Sequence, residues 1–195
     1  MFGVRALVTG YVIPTLAGVA LMGAPFLWCR LRREAPEDYG ISWKLEKKSF
    51  VELLIVTAAV LLPLTFVSVN WPFESLPRHS TAWRSLNLMA AGTSAAIIEE
   101  IFYRGWLLPL FKRRVGAFWA IALSSGLFAL SHIFVAQTVF LFAVFFPGCV
   151  MGFLRERHGN IATSTIFHAV ANVWAVWFAP LHWPTMTWII ERLRI

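Results

Sequence analysis

Ile97-Ile98-Glu99-Glu100-Ile101-Phe102-Tyr103-Arg104 interrupts an apolar run that extends from about Leu86 to Phe111. A run of that length spans a bilayer as a helix. Two adjacent carboxylates inside it, with an arginine four residues past the second, are not packing residues. A charged side chain at the centre of a bilayer costs on the order of 2.5–3.5 kcal/mol even on lenient insertion scales, so it faces a protein interior and has a partner there. Helical spacing indicates which partner. Glu100 and Arg104 stand at i and i+4, on one face, with the acid on the N-terminal side, the favourable order. Glu99 is turned about 100° from Glu100 and cannot share that pair equally. The expected division is Glu100 held by Arg104, with Glu99 left for chemistry or another partner. A buried structural ion network is the competing reading.

Composition points to the same solvent. Of 195 residues, 58% are hydrophobic and 14% charged, against roughly 25% charged in a soluble domain. The 17 Lys and Arg outnumber 10 acidic residues and sit mostly in short clusters between apolar runs. The net charge of +7 therefore reads as membrane topology and contact with anionic lipid. No basic groove interleaved with aromatic residues marks a nucleic-acid site. Cys29 and Cys149 fall in or beside apolar runs and read as small core residues.

Outward from the acidic pair, the apolar runs predict six spans: about Ala6–Cys29, Phe50–Val69, Leu86–Phe111, Ala117–Phe134, Val139–Leu154 and Ile161–Ala179. Leu181–Ile195 reads as an interfacial cap or a short seventh helix. The first run is too long for a signal-peptide core and is followed by Arg30, Arg32 and Arg33, a stop-transfer pattern. The cluster Lys112-Arg113-Arg114 ends the third run, and with Arg30–Lys48 it sets the cytoplasmic side. Arg78 and Arg84, in the loop Asn70–Arg84, run against that orientation. Gly148 and Gly152 have the spacing that lets two membrane helices approach closely. The predicted architecture is all-α: one integral membrane domain, residues 1–195, of about six or seven helices. Its catalytic core lies at about 85–180 and surrounds a polar cavity within the membrane.

Three further polar residues lie in the later spans. His132 ends the fourth. His168 and Asn172, at i and i+4, project from one face of the sixth. Alone, each reads as a satisfied core residue or a helix-to-helix hydrogen bond. Together with Glu99, Glu100 and Arg104 they compose one pocket, because scattered placement would leave several buried polar groups unsatisfied. Glu99 with His132 has the makings of a general base for water. His168 and Asn172 offer N–H donors suited to an oxyanion. Glu100 and Arg104 would fix the base. Such a set hydrolyses a peptide or ester without a covalent intermediate. Glu, His and His also bind zinc, and their spacing neither demands nor excludes a metal.

Glu99-Glu100-x-x-x-Arg104, Phe128-x-x-x-His132 and His168-x-x-x-Asn172, in that order, resemble the CPBP group of glutamic intramembrane proteases. That group includes the prenyl-protein C-a-a-X endopeptidases and bacterial relatives linked to bacteriocin processing or immunity. The resemblance covers about Thr93–Trp174. It implies Glu99 as the water-activating glutamate assisted by His132, Glu100 supported by Arg104, and His168 with Asn172 at the oxyanion. It implies no metal cofactor. It also implies a membrane-anchored or C-terminally tailed protein substrate and a bacterial inner membrane location. The prenyl-protease branch commonly has about eight membrane helices, and this chain has room for about six or seven; a short bacterial form could instead trim a C-terminal sorting tail, as the myxosortase-like branch is thought to do. A non-catalytic immunity or interaction protein, and an ion-coupled carrier, are the other readings. The carrier predicts an inverted repeat, and the sequence contains none.

Counting about 1.5 Å per residue sets His168 roughly 10 Å, and His132 roughly 25 Å, from the cytoplasmic ends of their spans. Convergence on Glu99 therefore requires a displaced or strongly tilted fourth helix.

Overall fold

The computed structural model describes residues 13–72, 75–132 and 140–180. Within them the chain is helical. Helix α1 is Ile13–Arg32 and α2 is Lys47–Val69, with a single 3-10 turn, Pro36–Tyr39, between them. Helix α3, Ala82–Glu100, passes through a π-helical turn, Ile101–Leu107, into α4, Leu108–Ser131. Helices α5, Phe140–His158, and α6, Ala162–Phe178, complete the bundle.

Local chemistry sets the boundaries. The Thr81 hydroxyl accepts from the Arg84 amide at 3.3 Å and caps the start of α3. The Asn160 side chain does the same for the Ala162 amide at the start of α6, at 2.9 Å. Pro36 opens the 3-10 turn and Gly40 closes it at φ 75°, a conformation that costs glycine little.

Among the described residues, two runs are long and apolar enough to cross a membrane: Lys47–Val69 and Ala82–Ser131. Protein buries only 6% of the apolar stretch of α2, so α2 is not the core helix of a water-soluble domain. Its exposed Leu54, Ile55, Leu62 and Phe66 match hydrocarbon as solvent.

The described residues hold five helical stretches, and the longest, Ala82–Ser131, is two arms that meet at a kink. These arms are the expected third and fourth spans. They join just after Lys112-Arg113-Arg114, at Gly116 (φ 80°, ψ 170°), rather than across a loop. A glycine supplies the turn that a loop was expected to make. Helix α1 continues past Cys29 to Arg32. The start of the first predicted span, the end of the fourth and all of Leu181–Ile195 lie outside the described residues.

Helix α4 packs against α5, α3 against α6, and α6 against α5, while α2 leans on α6. The expected close approach at Gly148 and Gly152 is present. A methyl group on Gly152 would meet Ile121 Cγ2 at 2.9 Å, and one on Gly148 would meet Ser125 Cβ at 3.0 Å. The core of Leu53, Tyr103, Phe128, Met151, Leu154 and Phe167 fills the space between these helices. Polar links tie α2 to the bundle. Trp174 Nε1 donates to Thr65 Oγ1 at 2.8 Å. Arg157 pairs with Glu52 at 3.0 Å.

Arg78, an awkward charge in the sequence, has a structural task. Its guanidinium donates to the Ala175 carbonyl at 2.7 Å, the Val176 carbonyl at 2.9 Å and the Ala179 carbonyl. These carbonyls lie in the last turn and C-cap of α6, where few intrahelical donors remain and a cation also suits the helix dipole. Arg78→Ala is expected to destabilise the protein by about 1–3 kcal/mol, the range for losing hydrogen bonds from a charged donor, measured by thermal unfolding in detergent.

Candidate active site

The acidic pair ends α3, and Arg104 lies in the π-turn that follows. A π-turn inserts an extra residue into the helical path and recurs at functional sites. Glu100 and Arg104 are fully buried, and Arg104 Nη1 stands 3.3 Å from Glu100 Oε1. The guanidinium is held from two other sides. Its Nη2 donates to the Gly148 carbonyl at 2.9 Å, and its Cζ lies 4.4 Å above the centre of the Phe128 ring. Gly148 permits this because a Cβ there would sit 3.1 Å from Arg104 Nη2. The Glu100–Arg104 division read from the i,i+4 spacing is therefore what the structure contains.

Glu99 is less free than expected. Its Oε2 stands 3.5 Å from His168 Nε2, with its side chain 24% exposed. The other ring nitrogen of His168, Nδ1, stands 3.2 Å from Glu100 Oε1. His168 thus bridges the two carboxylates. Its buried ring meets the Phe128 ring edge-to-face at 5.5 Å. The spacing of His168 and Asn172 predicted a shared helix face but not what that face meets.

His132 comes within the electrostatic reach of Glu99, as do His168, Glu100 and Arg104. Its Nδ1 is 2.8 Å from the Phe128 carbonyl. A carbonyl only accepts, so Nδ1 carries the proton and the neutral ring keeps its lone pair on Nε2. The Asn172 amide donates to the Gly92 carbonyl at 2.9 Å, joining α6 to α3. The contact is close because Gly92 has no side chain: a Cβ there would meet Asn172 Cβ at 3.1 Å. One of the two Asn172 amide hydrogens is used in this way.

His132, His168 and Asn172 all open onto a cavity of about 370 Å³. Its other walls are mostly apolar, among them Val60, Leu64 and Val67 of α2, Pro147 and Met151 of α5, and Phe167 of α6. A polar corner in an apolar chamber is the usual form of a small-molecule or peptide site. Among the described residues, no three His, Cys, Asp or Glu side chains group as a metal site. Phe128 is the residue that reading by residue type undervalued. It lies under the Arg104 guanidinium and packs against both histidines. Its place four residues before His132 was the available signal.

Residues 81–174 match the family model described as type II CAAX prenyl endopeptidase, Rce1-like. These residues, just under half of the chain, are similar to the Rce1-like family. The Rce1-like segment begins at the Thr81 cap of α3 and ends two residues past Asn172, so it holds all six polar residues. Helices α1 and α2 and the turn between them lie before it. An Rce1-like family is one of membrane proteases, in agreement with the apolar surface of α2. No curated protein and no solved structure matches the chain.

Arg104→Ala is expected to strand Glu100 as an unpaired buried charge and to destabilise the fold by about 3–5 kcal/mol. The measurements are membrane yield and thermal unfolding. Adding Glu100→Gln to Arg104→Ala is expected to recover part of the loss.

Proposed function

We propose that the protein is an intramembrane glutamic endopeptidase of the bacterial inner membrane. Its reaction is hydrolysis of a peptide bond near the membrane-associated C-terminal region of a protein substrate. The observation that carries this reading is His168 set between two carboxylates, 3.5 Å from Glu99 and 3.2 Å from Glu100, at the polar corner of an apolar cavity. The match to an endopeptidase family over the same residues supports it.

In the proposed reaction Glu99 takes a proton from water, and the hydroxide oxygen bonds to the scissile carbonyl carbon. His132 assists by accepting from the same water through Nε2, its Nδ1–H being fixed on the Phe128 carbonyl. The carbonyl π electrons move to oxygen and form an oxyanion. Asn172 has a second amide hydrogen to offer it. With both carboxylates ionised, His168 donates from both nitrogens. Once Glu99 is protonated, its hold on His168 Nε2–H weakens and that hydrogen is available to the oxyanion. Collapse of the intermediate breaks the C–N bond, and the proton on Glu99 passes to the leaving amine. Glu100 and Arg104 touch no substrate in this scheme; they set the height and tilt of His168.

The apolar walls favour a substrate with an apolar tail, whether lipid-modified or a hydrophobic C-terminal segment. Glu99→Gln and His132→Ala are each expected to lower cleavage at least about 100-fold, the lower range for loss of a general base, while the protein remains folded and membrane-inserted. Mass spectrometry of C-terminally anchored proteins, in cells carrying the intact or the Glu99→Gln protein, reads the cleavage directly. Full cleavage by both variants overturns the assignment and favours a non-catalytic role.

A further inference from the structure

Ahead of the Rce1-like segment, the turn Pro36–Tyr39 leaves Glu37 and Asp38 exposed but seats Tyr39, with the following Gly40-Ile41, in the bundle beside the π-turn. Tyr39 is fully buried and Ile41 is 7% exposed. Ile41 packs with Ile101 and Ile161 and is flanked by Trp106. It fits because residue 105 is glycine: a Cβ there would lie 2.6 Å from Ile41 Cγ1. The Gly40 carbonyl accepts from the Ile161 amide at 3.1 Å. A side chain on Gly40 would collide with the Gly159 carbonyl at 2.7 Å and with Arg155 Nη2 at 2.8 Å.

Arg155 closes this arrangement. It is buried, near the end of α5, and the proposed chemistry does not use it. Its Nη2 donates to the Tyr39 carbonyl at 2.8 Å. Its Nε donates to the Arg104 carbonyl at 3.1 Å. Glu156, itself paired with Lys112 at 2.6 Å, holds the remaining Nη1 at 2.5 Å. The π-turn carbonyl that Arg155 grips thus belongs to the residue whose guanidinium holds Glu100. The connection runs from the Tyr39 carbonyl through Arg155 to the Arg104 backbone, then through its side chain to Glu100, His168 and Glu99.

We propose that Arg155 is a positioning residue and that the Pro36–Ile41 wedge, outside the family segment, is part of the active-site scaffold. Together they hold the π-turn in the one register that aims both glutamates at His168. Arginine suits the task because its planar fork donates along one edge to two separate carbonyls. A lysine ammonium is a point charge and cannot span both. The structural part of this inference stands on geometry alone; its effect on rate rests on the proposed endopeptidase activity.

The test uses the full chain in lipid nanodiscs and two variants, Arg155→Lys and Ile41→Ala. The second withdraws the wedge but keeps the arginine, and so covers the case in which Arg155→Lys does not fold. Hydrogen–deuterium exchange is read over 101–107 and, as internal control, over 47–69. Both variants are expected to speed exchange over 101–107 about tenfold while 47–69 is unchanged. Hydrolysis of a farnesylated C-a-a-X peptide is followed in parallel, with kcat expected to fall roughly tenfold or more and KM to stay within about twofold. Unchanged exchange over 101–107, or faster exchange in both segments alike, overturns the inference. So does a local rise in exchange with unchanged kcat. Should the wild-type protein leave the peptide intact, the choice of substrate or the endopeptidase reading fails, and exchange alone decides the scaffold.

Discussion

The polar corner of this bundle depends on one buried ion pair. Glu100 and Arg104 are both fully excluded from solvent, where an unpaired charge costs several kcal/mol. The pair is tolerable because it is not isolated. Arg104 also reaches the Gly148 carbonyl and rests on Phe128, and Glu100 also meets His168. Each contact belongs to a different helix. Satisfying one charge therefore brings α4, α5 and α6 to a common point beside the π-turn.

Small residues make that convergence possible. Gly148 lets α5 approach close enough for its carbonyl to receive Arg104, Gly92 lets Asn172 reach the backbone of α3, and Gly105 leaves room for Ile41. In hydrocarbon, where helices gain little from hiding apolar surface from one another, close packing and interhelical hydrogen bonds carry the association. The polar corner and the glycine contacts are accordingly one construction. The apolar cavity beside it, walled partly by the loosely held α2, provides space that packing alone would have closed.

Much of this was legible along the chain. Apolar runs and terminal basic clusters located the helices, because solvent preference is a local property. The i,i+4 relation of Glu100 and Arg104 was readable for the same reason. The form of the break between the third and fourth spans was not, since Gly116 turns the chain without a loop. Counting residues as straight helix set His132 and His168 at different depths. The π-turn and the break at Gly116 depart from that ideal path, and His132 comes within electrostatic reach of Glu99. Arg78 looked like an orientation signal and is a helix cap, a role visible only once the end of α6 is beside it.

The sequence by itself determined a helical chain with an apolar exterior, six polar residues within its spans, and which of them share a helix face. Tertiary structure alone decided that His168 lies between both glutamates, that Asn172 binds the Gly92 carbonyl, and that Arg155 joins the π-turn to a distant loop. The physical reason is that helical periodicity fixes directions within one element. Which faces meet, and at what height, is set by the fit of side chains between elements, and no spacing along a single helix encodes that.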